Sequence, residues 1–462
     1  MPRKRDRFRA ASSAPPAVLL VLGFIQLCRN QPLWYDEAYS RLLAGVPITM
    51  LVGAVWHRTG VISYLSVPPS FNAPYYALLH VWCVFAGTST VALRLPSLVC
   101  AAAAVGVVAE LVRKQAGPGA GLLCGLLCAT GPLLVDEAVQ ARGYGPALLA
   151  LALCALWFTD WLATGHGVRR MGVAAAAAGL LHWFTLPVLA GFAVAALLLR
   201  GRPGRRTAIT IVAASVPAAL LVSWSLAGGT HGAPSPPAVG LLLPVDAVRD
   251  WSEGLAALSI AVTVAAVLGV WRTAHRVFVL SWTVVPMLLI TGLELVRPTY
   301  FARYLLFTLV GLIIAAALGI ASLRSVALRT GAAAVLLGLS IAATLPHLND
   351  LPREPSPAVV RLLAAEQQAG QPIIAADGRM SLDLETHLTL APRLQQDLVL
   401  PPVEFTTQTS SPVVWLARVV LKANSVPVVP AEQRLLDAGW TKQSSTFLIG
   451  SNTNLRVERW TR

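Results

Sequence analysis

Apolar residues in this chain fall in runs of roughly 15 to 20, the length of a helix that crosses a hydrocarbon core of about 30 Å. The runs cover residues 14–29, 91–112, 119–135, 146–164, 171–184, 186–200, 207–227, 252–270, 277–295, 304–322 and 331–346. They predict an all-α polytopic membrane protein with about eleven transmembrane helices. Residues 171–200 have an alternative reading as one long helix, which would change the parity. The segment APYYALLHVWCVFAG, residues 73–87, is too short to span and is rich in aromatic residues, so it is expected to lie in the interface. Residues 30–90 then form a long outer loop, the kind of ordered loop that carries function. A second outer loop, residues 228–251, contains GGTHGAPSPP and reads as a mobile flap. Beyond residue 346 the pattern changes. Strand-like PIIAA, PVVWLARVV and LRVERW and the helical PAEQRLLDAG predict a small extracytoplasmic α/β domain over residues 347–462, after a transmembrane domain over 1–346.

Composition and charge narrow the class. With 56% hydrophobic and only 13% charged residues, the chain could not solvate itself as a soluble globule. The net charge of +14 could suggest nucleic acid, but the basic residues cluster between apolar runs, where they act as topology signals. Placing those clusters in the cytoplasm puts the N-terminus inside and the C-terminal domain outside, in a multi-pass plasma-membrane protein. Arg3, Lys4, Arg5, Arg7 and Arg9 before the first run also fit a signal peptide, but a retained span is preferred because no small-x-small cleavage site precedes Gln31. The six cysteines lie in or beside apolar runs without metal-type spacing and read as small core residues.

Candidate chemistry gathers at the outer ends of the spans. QPLWYDEAYS sets Asp36 and Glu37 just after the first span, placed to meet a lipid headgroup and a water-soluble acceptor. The bland alternative is a solvated loop, or Asp36 as the N-cap of the helix AYSRLLAG. VQARGYGP contributes Arg142 and Tyr144, and RPTYFARYLL contributes Arg297, Arg303 and Tyr304. The positive-inside rule does not explain these arginines, and planar guanidinium groups suit a lipid phosphate. Snorkelling or pairing with Glu294 is the bland alternative. Arg94 reads as fixing the outer end of its span, and His182 as a packed or interfacial histidine. His57, Asn72, His80 and Gln140 are candidates for acceptor or loop contacts.

Taken in order, WYDEAYS, NAPYYALLHVWCVFAG with TSTVALRLPS, VQARGYGPALL, LHWF and FARYLL resemble the polytopic GT-C superfamily of glycosyltransferases, particularly bacterial relatives of the protein O-mannosyltransferases. The resemblance spans roughly residues 15–325; the C-terminal domain matches only in position. It implies a GT-C-like fold with external interfacial helices, a polyprenyl-phosphate sugar donor and Asp36 as general base. Mannose is the implied sugar, with a pentose as the alternative, and the acceptor is a glycan, lipid or protein. Two departures stand out. Asn72, Ala73 and Pro74 replace a histidine-proline-proline, and Gln140 stands where many members carry glutamate. With that carboxylate gone, no cofactor or metal is expected, although Glu37 could compensate in a metal-using member. A transporter or flippase for lipid-linked sugars would place ionisable groups near the midplane within internal repeats. A non-catalytic scaffold would have no need of the Asp36–Glu37 pair.

Overall fold

The computed structural model describes residues 2–65, 67–69, 72–227, 239–296, 298, 300–400, 410–420 and 430–462, with side chains from Ser13 onward. Its elements begin with α1 (Pro2–Cys28), α2 (Tyr35–Gly45), α3 (Ile48–His57), α4 (Ala73–Ala86), α5 (Thr90–Ala116), α6 (Pro118–Ala129), α7 (Pro132–Ala138), α8 (Tyr144–Thr164) and α9 (Val168–Leu181). There follow α10 (Leu186–Ala227), α11 (Leu243–Trp251), α12 (Ala256–Arg272), α13 (Arg276–Val296), α14 (Leu306–Ala321) and α15 (Val326–His347). The remaining elements are α16 (Ser356–Glu366), β1 (Ile373–Ala375), α17 (Gly378–His387), β2 (Leu398–Val399), β3 (Val413–Val420), α18 (Pro430–Asp437), β4 (Thr441–Leu448) and β5 (Asn454–Thr461). The chain divides into two compact units. One holds residues 1–29, 70–78 and 91–349; the other holds 30–69, 79–90 and 350–462.

The first unit is the helical body of a multi-pass membrane protein. Among the described residues six helices are long and apolar enough to span, or up to nine when each bent pair counts as one. The expected segments fall on helices, with residues 119–135 divided between α6 and α7, which are bent by 63°. Residues 171–184 and 186–200 are separate, as expected, and the one-helix alternative fails: α9 stops at Leu181, His182 turns to extended backbone, and a short 3-10 turn leads into α10. Instead α10 carries two expected segments, 186–200 and 207–227, as arms on either side of Gly201, whose φ of +54° breaks the helix among the basic residues. The second outer loop also differs. Residues 228–238 lie outside the described residues, but 243–251 are helical because Pro244 starts α11 and Leu243, Ala247 and Trp251 bury one face.

Packing in this unit uses small and aromatic residues, as membrane helices do. At the α12–α14 crossing a Cβ on Gly269 would lie 1.9 Å from the Ala315 carbonyl oxygen, and one on Gly319 would lie 1.9 Å from that of Ala265. Phe158, Phe192, Phe278 and Trp282 stack in one cluster with ring centres 4.9–5.7 Å apart. At the α6 terminus the Thr130 carbonyl, left without a helical partner, accepts from Ser340 at 2.9 Å and Thr344 at 2.5 Å on α15.

The second unit contains a five-stranded mixed sheet in the order β2-β1-β3-β5-β4. β1 runs parallel to β2 and β3, while β3, β5 and β4 pair antiparallel. The expected strands and the helix α18 all form. β3 is almost wholly buried because apolar clusters cover both sheet faces. β4 was not expected. Its TKQSSTFL is mostly exposed and held by pairing rather than by an apolar face. The segment between α1 and α5 adds α2 and α3, bent by 117°, and part of α4.

Candidate active site

In the first unit the arginine and tyrosine candidates converge. The turn after α7 presses against its neighbours: a Cβ on Gly143 would stand 2.4 Å from the Leu181 carbonyl oxygen, and one on Gly145 2.1 Å from that of Ser97. Those two glycines of RGYG therefore set how deeply the turn sinks. Arg142 donates to the Tyr76 hydroxyl at 2.9 Å. Tyr144 is buried with its ring 4.3 Å from His182 and 6.1 Å from Phe307. His182 is buried, as a packed histidine should be, and its Nδ1 accepts from the Phe184 N–H at 3.4 Å. The 3-10 turn at 302–305 holds Arg303 over the rings of Phe301 and Tyr304, at 4.8 and 5.5 Å. Tyr304 stacks on Phe184 at 4.1 Å. Arg142, Arg303, Tyr304 and Glu137 all lie within electrostatic reach of the Tyr144 hydroxyl. Arg297 lies outside the described residues. Glu294 is engaged by backbone, accepting from Val239 and Tyr300 at 3.2 and 2.9 Å.

The remaining candidates of this unit have local roles. Gln140 is buried and donates to the Asp136 carbonyl at 3.2 Å. Asn72 sits half-buried at the entrance to α4, and Arg94 is buried one turn into α5. Glu137, at the end of α7 and 2% exposed, was not singled out from sequence. Its signal was the second Asp-Glu pair of the chain, just beyond the expected span 119–135.

An apolar cavity of about 850 Å³ opens between α11, α12, α13 and α14, bordered by Val248, Arg249, Ser259, Thr263, Met287 and Leu312.

In the second unit Asp36 and Glu37 occupy the first turn of α2, where the helix dipole favours carboxylates. The N-cap is Trp34, not Asp36, and it offers no capping side chain. The capping alternative therefore fails: the helix starts one residue before Asp36, and the Tyr35 N–H is met by Glu354 at 2.8 Å. Asp36 is half-buried and Glu37 fully buried. His80 contacts the Ala44 carbonyl through Nδ1 at 2.8 Å, and His57 is exposed at the end of α3. Buried Glu354 and Asp383, with half-buried Arg379, form a group that sequence reading did not find, because three isolated charges in a polar stretch carry no spacing signal. Burial and the adjacent Glu354 carboxylate push Asp383 well above the usual carboxylate range. Among the described residues no group of three or more His, Cys, Asp or Glu is arranged to hold a metal ion.

Structural similarity supplies the wider context. ArnT from Cupriavidus metallidurans in the apo state aligns with a TM-score of 0.57 at 14% identity, over 96% of each chain. The chain has the GT-C fold. ArnT from the same organism bound to undecaprenyl phosphate aligns with a TM-score of 0.54 at 13% identity, again over 96% of each chain. The alignment thus runs through the C-terminal region, further than the motifs reach. No protein-family model and no curated protein matches the chain.

Proposed function

We propose that this protein is a membrane glycosyltransferase that moves a sugar from a polyprenyl-phosphate donor to an acceptor hydroxyl on the outer face of the plasma membrane. The observation that carries the reading is full-length similarity in fold to ArnT, a protein solved with undecaprenyl phosphate bound, supported by Arg142 and Arg303 within electrostatic reach of Tyr144. Two arginines beside aromatic rings suit a phosphate ester, which they would hold through bidentate, charge-assisted hydrogen bonds. The apolar cavity beside α12 and α13 suits a prenyl chain.

In the proposed reaction Asp36 accepts the acceptor's hydroxyl proton as that oxygen bonds to the anomeric carbon. The bond from that carbon to the phosphate oxygen breaks, and the lipid phosphate leaves with the electron pair. A single displacement inverts the anomeric centre. Phosphate is already a good leaving group, so the protein supplies position and charge stabilisation. Arg303, assisted by Arg142, holds the departing phosphate. Mannose is the first sugar to test and a pentose the second; the acceptor is a glycan, lipid or protein. The N-terminus is placed in the cytoplasm and the C-terminal domain outside.

Purified protein incubated with a panel of radiolabelled polyprenyl-phosphate sugars and envelope extract tests donor and acceptor together. Transfer from at least one donor, lost in Asp36→Asn, is expected. No transfer from any donor, or transport of intact lipid-linked sugar across proteoliposomes instead, overturns the reading.

A further inference from the structure

The start of α2 depends on residues that come more than three hundred positions later. A helix leaves its first four N–H groups without internal partners, and Trp34 cannot supply an acceptor from its side chain. Glu354 does so: Oε2 accepts from the Tyr35 N–H at 2.8 Å, while Oε1 accepts from Arg379. The Glu354 side chain is fully buried, and its charge is paired with Arg379, whose side chain is partly exposed. Arg379 also lies 4.9 Å over the Tyr35 ring and donates to Thr453 at 3.3 Å. Neighbouring contacts reinforce the attachment. Arg353 lies 4.8 Å over the Trp34 ring, and Gln31 donates to the Asp350 carbonyl at 3.2 Å. Tyr64 donates to Glu385. Gly378 opens α17 so close to the loop that a Cβ there would lie 2.1 Å from the Tyr64 carbonyl oxygen.

From this geometry we infer that Glu354, clamped by Arg379, is a positioning residue: it caps α2 from the C-terminal region and fixes the direction in which Asp36 presents its carboxylate. The inference rests on the reading of Asp36 as the base. It assigns the C-terminal domain a part in the chemistry without contact with the substrate. Arg379 serves twice, neutralising the cap and acting electrostatically on Asp36 one residue beyond the ring it covers.

The experiment uses the full-length protein in lipid nanodiscs, with Glu354→Ala, Glu354→Gln and Asp36→Asn compared with the parent. Glu354→Ala is expected to lower kcat about tenfold or more with little change in KM for the donor, because a misdirected base slows the chemical step rather than binding. Glu354→Gln keeps an acceptor for the Tyr35 N–H and should recover part of that loss. Hydrogen exchange across residues 35–39 should accelerate in the alanine variant while exchange in the sheet stays unchanged, which separates a loosened helix start from a failure to fold. Parent-like kcat in Glu354→Ala, with Asp36→Asn inactive, overturns the positioning role and leaves the base intact. Equal losses in kcat and donor affinity, or faster exchange throughout the sheet, also overturn it. Near-normal transfer by Asp36→Asn overturns both.

Discussion

The chain carries the dipeptide Asp-Glu at two helix ends, and the two are built differently. At Asp36–Glu37 the pair opens α2; at Asp136–Glu137 it closes α7. In both, the aspartate is half-buried and the glutamate buried. A helix N-terminus favours negative charge and a C-terminus opposes it, by about 0.3–1 kcal/mol each. The first pair therefore sits at the helix end that favours carboxylates, and the second at the end that opposes them. Support differs as well. The turn after α7 is seated by glycines of its own segment, while the start of α2 is held by a carboxylate from the far end of the sequence. Under the proposed mechanism the two ends would divide the labour, with the proton acceptor at α2 and the anion-binding surface around Tyr144.

The strongest test of that division is Asp36→Asn, which keeps the shape but removes the base. Turnover should fall by a factor on the order of 100 to 10,000. Asp136→Asn serves as the contrast, and if it alone abolished transfer the roles of the two pairs would be reversed.

On the anion side, Arg303→Ala should weaken donor binding about 10- to 100-fold, from the loss of charged hydrogen bonds worth about 1.5–3 kcal/mol. Equilibrium binding of a polyprenyl phosphate reads this directly, and unchanged affinity would end the phosphate assignment.

Gly143→Ala tests the seating of the turn. Its new methyl group would meet the Leu181 carbonyl oxygen, and overpacking of this kind costs about 1–3 kcal/mol. Thermal unfolding in detergent should show a lower Tm; an unchanged Tm would mean that the turn is free to shift.

The smallest effect concerns the far support of α2. Asp383 is held neutral in the folded chain by burial and by Glu354, so its pKa lies above the unfolded value. As pH rises from the ordinary aspartate range through that raised value, the unfolded chain releases a proton that the folded chain retains, and stability falls. Asp383→Asn removes this loss. The variant should gain relative to the parent as pH increases from about 4 to 8. Parallel denaturation curves across that range would show that Asp383 is not the source.

Much of the helical body was legible because a bilayer imposes length and apolarity, and every apolar run became helix. Of the site, WYDEAYS, ARGYG and FARYLL were visible because arginine and carboxylate are costly at a membrane edge without a purpose. Boundaries at Gly201 and His182 were less visible, since a single backbone angle decides them. The Glu354–Arg379–Asp383 group was hidden for another reason: its members meet only through tertiary folding, with no periodic spacing to betray them. β4 escaped because its stability comes from β5 rather than from its own residues.

The α12–α14 crossing carries a mechanical implication. With a glycine from each helix seated against the other's carbonyl, sliding or prying by even an ångström replaces tight backbone contact with a void or a collision. The two helices therefore travel as one rib, and rearrangement during turnover in this part of the membrane body has to take place around that rib rather than through it.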